Sequence, residues 1–378
     1  MKITRLETIH VRPHWTFLRV HTDEGIIGYG EPVVEGRSRT VATAVHELES
    51  YLIGQDPLNI ERHWQAIYRG TFYRGGPILV SALSGIEQAL WDIKGKYHGM
   101  PVYEMLGGAC RTRVRMYPGG GGSTPEEAAA CVRARKAQGF TAIKFSVDAP
   151  VRSVDTLAYV ERQVEKLAAM REAAGGEMDI AIDFHGRIGP AMAIRLAQAF
   201  EPYYPMFIEE PCLPENVDAM VTIARSTSIP IATGERLFIR WGFREVLEKQ
   251  AAAILQPDVC HAGGIFEVRK IAAMAEAYYA SVAPHNPLGP ISLAACLQVD
   301  ACTPNFLIQE HPGMAEGWDL GEGYLRQPFL VVDGYIPVPQ GPGLGIELND
   351  DVVEEHRSSG DWQIPRLYHE DDGSLAEW

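Results

Sequence analysis

No apolar run in the 378-residue sequence approaches the about 18 residues that cross a bilayer, which excludes a membrane-spanning helix on length alone. Basic residues are also in deficit. The 34 Lys and Arg face 49 Asp and Glu, a net charge of −15, so the basic footprint that nonspecific nucleic-acid binding needs is missing. An anionic substrate is not excluded, because a bound divalent cation reverses the local field. Cysteine is sparse and unpatterned. Cys110, Cys131, Cys212, Cys260, Cys296 and Cys302 show no Cys-x-x-Cys spacing and read as small core residues of a reduced protein, not as a disulfide frame. The opening MKITRLETIHVRP has no apolar stretch ending in small residues, so no export signal is read there and the cytoplasm is the expected compartment. Nucleotide signatures are lacking too: PGGGGSTPEE (118–127) is not followed by Gly-Lys-Ser/Thr, and HAGGI (261–265) is not GxGxxG. No nicotinamide cofactor is expected, and Ser123 or Thr124 ahead of Pro125 reads instead as a helix cap.

What is present is a rhythm of polar residues. Asp183, Glu209, Glu235, Asp258, His285 and Glu310 follow one another at intervals of 23 to 27 residues, the length of a strand, a helix and two loops, and each ends a short apolar run. In a (β/α) barrel such run ends share the C-terminal rim, where barrel enzymes build their active sites. Short apolar runs at 114–118, 141–147, 178–184, 205–209, 229–233, 252–257, 280–284 and 305–309 give eight strands, and seven helical stretches separate them. Ahead of them, residues 16–31 read as a hairpin around Asp23-Glu24-Gly25 and residues 37–106 take helical spacing, with Gly54 and Gly99 as stops. The expected organisation is an α+β capping domain at 1–113, a barrel at 114–320 and a segment at 321–378 that returns to the capping domain over the barrel mouth.

The chemistry follows from the register. Asp183, Glu209 and Glu235 offer three anionic oxygens without a thiolate, a donor set that suits Mg²⁺ and not zinc. Glu210 alternates away from Glu209, so Glu209 is the member of that pair expected inside. His185 is two residues past Asp183 and is expected on the same side, and Asp258, one repeat before His285, is placed to orient that imidazole. Two histidines around one cation suit proton abstraction beside a carboxylate and loss of a β-substituent, with Glu310 facing the reacting centre. In the capping loops Arg12, His14 and Trp15, like Arg37, Tyr73 and Arg74, either read distal hydroxyls of a substrate or serve packing.

The ordered set DFHG, IEEP, GER, QPD, APH and IQE, behind ALSGIEQALWDIKGK, resembles the enolase superfamily in its mandelate racemase subgroup. The likeness runs nearly end to end. It implies a (β/α)7β modified TIM barrel with an α+β capping domain, and one Mg²⁺ on Asp183, Glu209 and Glu235. Enolase-superfamily sites pair Mg²⁺ with a Lys or His base, so metal and base are here the family's pattern and not an independent result. HTDEG, GEPVVEGRSRTV, LIGQDP, FYRGGPIL, DFHGR, APHNPLGPI and HEDDGSLAEW are similar to that subgroup's galactonate-type sugar-acid dehydratases. The resemblance implies that His285 takes the C2 proton of an aldonate and His185 protonates the departing 3-hydroxyl, giving a 2-keto-3-deoxy acid. Lys144 and Ser146 would contact the substrate. Racemases of the subgroup carry Lys-x-Lys where this chain has Lys144-Phe145-Ser146, so a lysine base at 146 is absent. An epimerase or racemase of a related acid, and a catalytically silent barrel with a binding role, are the other readings. Relatives of this kind are often symmetric, and a homo-oligomer is expected.

Overall fold

A computed structural model of the protein describes residues 1–311, 320 and 323–378; the expected boundary at 320/321 falls at this break, with residue 321 outside the described residues. The chain opens with an antiparallel sheet of β1 (Ile3–Val11), β2 (Trp15–Thr22) and β3 (Ile27–Gly30). Gly25, with φ +80°, makes the expected turn between β2 and β3. Helices α1 (Ser38–Glu47), α2 (Glu49–Leu52), α3 (Ile60–Arg69), α4 (Pro77–His98) and α5 (Val102–Met105) follow. The sheet lies on α4 at backbone contact: a Cβ at Gly28 would stand 2.1 Å from the Ala89 carbonyl oxygen and one at Gly30 1.9 Å from that of Gly85. Gly99, in the left-handed region, ends α4 as expected.

The barrel begins with β4 (Arg113–Tyr117) and α6 (Pro125–Ala137), the latter started by a Thr124–Glu127 capping box with Pro125 in the first turn. Alternation continues through β5 (Ala142–Ser146), α7 (Leu157–Ala174), β6 (Asp179–Asp183), α8 (Pro190–Phe200), β7 (Phe207–Glu209), α9 (Val217–Ala224), β8 (Ile231–Thr233) and α10 (Ile239–Glu248). It ends with β9 (Ile254–Leu255), α11 (Ile265–Glu276), β10 (Ser281–Val282), α12 (Pro290–Cys302) and β11 (Gln309–Glu310). Strands β5 to β10 pair in parallel sequence, β11 pairs with β4, and parallel bridges Gly119–Lys144 and Val282–Phe306 join the remaining edges into a closed ring. One side chain from each strand position, Tyr117, Ala142, Ala181, Phe207, Ala232, Ile254, Ala283 and Ile308, fills the interior as a single buried cluster. Large and small residues share it, as a tapering barrel requires. Among the described residues no helix is long and apolar enough to cross a membrane. All six cysteines are free, four of them buried.

Residues after the barrel lie against both domains. Strand β12 (Tyr335–Pro337) pairs antiparallel with β4, Arg357 bridges to Val11, and Trp362 stacks on His14 at 4.9 Å. The capping domain is tied to the barrel chiefly through α4. Glu87 accepts hydrogen bonds from the N–H groups of Ile265 and Phe266 at the start of α11, while Asp92 accepts those of Tyr29 in β3 and Leu344 in the returning segment. A carboxylate aimed at a helix N-terminus meets both unsatisfied N–H groups and the positive end of the dipole.

Candidate active site

The rim of the ring collects the rhythmic residues. Asp183 and Glu209 close neighbouring strands in register, and Ser146 closes β5 opposite Asp183. Glu310 closes β11, whereas three positions lie beyond strands that are shorter than expected: Glu235 is in the loop after β8, and Asp258 and His285 are in the loops after β9 and β10. A cavity of about 500 Å³ opens there, lined by Lys144, Ser146, Asp183, Glu235, His285 and Glu310, with His185, His14 and Trp15 also on its wall. Glu209 and Asp258 are buried behind that wall.

Two ion clusters organise it. Lys144 Nζ donates to Glu209 Oε1 at 2.7 Å and stands 2.6 Å from Glu310 Oε1, while Gln256 donates to the other oxygen of Glu209 at 2.7 Å. Burial alone would lower the Lys144 ammonium, yet Glu209 and Glu310 outweigh it and hold it well above its ordinary value. Across the ring, His285 Nδ1 is 2.8 Å from Asp258 Oδ2 and its Nε2 is 3.2 Å from Glu235 Oε2. Burial would lower this imidazole too, but the Glu235 carboxylate and the Asp258 hydrogen bond raise it well above the usual histidine range. Asp258, whose Oδ1 also accepts from the Cys260 N–H at 2.7 Å, is held below the ordinary carboxylate value despite burial by His261 and His285.

His185 faces the cavity for a reason other than strand alternation. The strand stops at Asp183, His185 has φ +56°, and its N–H donates to Asp183 Oδ1 at 2.6 Å. Its Nδ1 lies 3.1 Å from the Trp378 carbonyl oxygen and burial lowers its pKa. Strands β6 and β10 stand half a ring apart, so His185 and His285 address the cavity from opposite sides.

Arg12 is a correction. Its side chain is exposed and is not on the cavity wall; the backbone is what is used, its N–H donating to the His356 carbonyl at 3.0 Å and its carbonyl accepting from Tyr324. Glu210 turns away from the cluster, as expected, and pairs with Arg236 at 2.9 Å. The reading of separate loops passed over wall residues next to assigned ones. Arg187, Arg236 and His261 sit in the loops of His185, Glu235 and Asp258 and could have been reached by following each loop one to three residues further. Trp362 and Trp378 carry no local signal at all.

Asp183, Glu209 and Glu235 match a hard cation in donor chemistry: three carboxylates and no thiolate, two of them on the cavity wall and Glu209 buried just behind it. Burial, together with repulsion from Asp183, lifts Glu209 and Glu235 above their ordinary values, which marks a cluster short of positive charge. Among the described residues no three acidic, histidine or cysteine side chains stand at metal-holding separation, since Lys144 occupies Glu209 and His285 sits against Glu235. The residues fit the ion in kind.

Residues 4–107 match the mandelate racemase / muconate lactonizing enzyme N-terminal domain, and residues 126–352 the enolase C-terminal domain-like family. Proteins named D-galactonate dehydratase from Ralstonia nicotianae and Xanthomonas campestris pv. campestris are each 49% identical to the chain, with 100% of both sequences covered. The crystal structure of a member of the enolase superfamily from Salmonella Typhimurium is similar at a TM-score of 0.88 and 33% identity, covering 94% of this chain and 98% of that one. That of a mandelate racemase/muconate lactonizing enzyme from a Jannaschia species gives 0.88 and 35%, covering 97% and 99%. With both of its domains matched and the closed ring of strands in place, the chain belongs to the mandelate racemase / muconate lactonizing enzyme family of the enolase superfamily.

Proposed function

We propose that the protein dehydrates a sugar acid, D-galactonate in the first instance, to a 2-keto-3-deoxy acid. The observation that carries this reading is the pair of histidines facing one cavity from opposite sides, His285 backed by Asp258 at 2.8 Å, with Ser146 where a second lysine base would have to stand. His285 Nε2 removes the proton on C2. Asp258, holding Nδ1–H, keeps the lone pair on the nitrogen that faces the substrate and stabilises the imidazolium that forms. His185 gives a proton to the 3-hydroxyl, which leaves as water, and the resulting enol takes a proton at C3 as its own hydroxyl proton departs. The Lys144 ammonium, fixed between Glu209 and Glu310, supplies positive charge where the substrate carboxylate gains electron density. Asp183, Glu209 and Glu235 would hold one Mg²⁺, as members of the superfamily do. When bound, such an ion polarises the substrate carboxylate and so acidifies C2–H. His14 and Trp15 would meet the distal hydroxyls. Work in the cytoplasm as a homo-oligomer belongs to the same reading, the latter checked by light scattering.

The test is a screen of stereoisomeric aldonic and aldaric acids, with Mg²⁺ and with chelator, reading the 2-keto product as its semicarbazone. Chelator-sensitive product from D-galactonate is expected, and His285→Asn should lower kcat by about 10² to 10⁴-fold or more. Full activity in His285→Asn, or recovery of substrate deuterated and inverted at C2 without keto acid, would overturn the assignment.

A further inference from the structure

The capping domain reaches the back of the acid/base pair through one carboxylate, Glu31, which follows β3 and is fully buried. Its Oε1 accepts from the Gly289 N–H at 2.8 Å and its Oε2 from the Ser292 N–H at 2.9 Å, so both oxygens grip the first turn of α12. The fit is close: a Cβ on Gly289 would stand 2.5 Å from Glu31 Oε1. From this grip one route runs forward. Ser292 Oγ donates to Asn286 Oδ1 at 2.7 Å, and the Asn286 N–H donates to Glu310 Oε2 at 3.2 Å, which fixes the loop carrying His285. A second route starts at the backbone of the same residue. The Glu31 N–H donates to Gln88 Oε1 at 2.9 Å, Gln88 Nε2 donates to the Val259 carbonyl at 3.2 Å and to Cys260 Sγ at 3.3 Å, and the Cys260 N–H donates to Asp258 Oδ1 at 2.7 Å. Both routes end on the groups that flank His285, and Glu31, Gln88, Ser292, Asn286 and Asp258 are all buried, so water does not substitute for a lost link.

We propose that Glu31 is a positioning residue for the reaction, setting the loop that carries His285 and the Asp258 that backs it from the far side of the domain boundary. The proposal rests on the dehydratase reading for the reaction it serves, but not for the geometry it fixes. Residues that orient reacting groups through others cost about 10- to 100-fold in activity when changed. Glu31→Gln keeps the shape and turns an acceptor into an NH₂ facing an N–H donor. The expected result is kcat on D-galactonate down by about 10-fold or more with KM within about twofold, because the substrate itself is not touched.

The second readout needs no substrate. In the full-length protein labelled with ¹⁵N-histidine, the far-downfield Nδ1–H proton of His285 is identified by its absence in His285→Asn. It should shift or vanish in Glu31→Gln. Should that variant fail to fold, Ser292→Ala keeps the backbone grip and removes the hydroxyl that links to Asn286 and meets the Cys260 thiol, and it should show the same changes in smaller measure. Parent-like kcat and an unmoved resonance overturn the proposal, as does a loss confined to KM or to thermal stability. If the parent itself turns over no sugar acid, the dehydratase reading fails while the resonance still decides the role of Glu31.

Discussion

On the proposed mechanism Asp258 does two things for His285, holding a proton on Nδ1 and raising the basicity of Nε2, and Asp258→Asn would weaken both with little change of shape. The expected outcome is a kcat about 10- to 100-fold lower, measured in steady-state kinetics with the fold checked by circular dichroism. Glu235 works on the other nitrogen. Its carboxylate, 3.2 Å from Nε2, favours the imidazolium and is the foremost of the charges that raise His285. Glu235→Gln removes that charge, so the His285 pKa must fall, and an NMR titration of the metal-free protein will show the imidazole releasing its proton at lower pH than in the parent. On the proposed mechanism the consequence is direct: a base is useful only when unprotonated, so whatever neutralises Glu235 would ready His285.

Among the elements, helix N-termini carry the domain junction. Glu87 sits on α11 much as Glu31 sits on α12, and burial, against the two N–H bonds, pushes its carboxyl up to about 8 from an ordinary 4.5. A carboxyl raised in the folded state binds a proton there that the unfolded chain has already lost. Its contribution to stability is therefore complete below pH 4.5 and is lost as pH climbs through about 8. Glu87→Gln cannot ionise, so its Tm relative to the parent should improve from pH 5 to pH 8; a difference independent of pH would show that Glu87 does not titrate across that range.

Strand ends were readable because a polar residue closing an apolar run has few structural reasons to recur at one spacing, and Asp183, Glu209 and Glu310 do end their strands. Strand lengths were not readable. Ile254–Leu255 and Ser281–Val282 are paired over two residues each, and the polar positions behind them stand in loops whose course depends on neighbours. His185 was placed correctly by an argument that does not apply, since its left-handed backbone, not alternation, turns it toward the cavity. Glu31 had no signal either: its partners Gly289 and Ser292 lie about 260 residues away, and only the folded ring brings them together.

At the scale of the whole molecule the barrel floor sets stability. Phe207 is one of the largest buried side chains and fills the interior beside Tyr117 in a cluster that also holds four alanines. Those alanines cannot expand into a vacancy, so Phe207→Ala should cost about 3 to 5 kcal/mol, read as a lower denaturant midpoint with an unchanged slope. Its position under Glu209 makes it a probe of the floor, not of the chemistry. If the loss is below about 1 kcal/mol, the interior is less tightly filled than the cluster indicates.

The long return of the chain after the barrel also has a temporal side. A nascent polypeptide that has emerged only as far as Glu310 already contains, among the described residues, every His, Asp and Glu that lines the cavity. It lacks β12, which borders β4, and it lacks Trp362 and Trp378, which complete the wall and hold His185 from outside. On the proposed reading, synthesis therefore produces the candidate catalytic groups before the aromatic side chains that complete their wall.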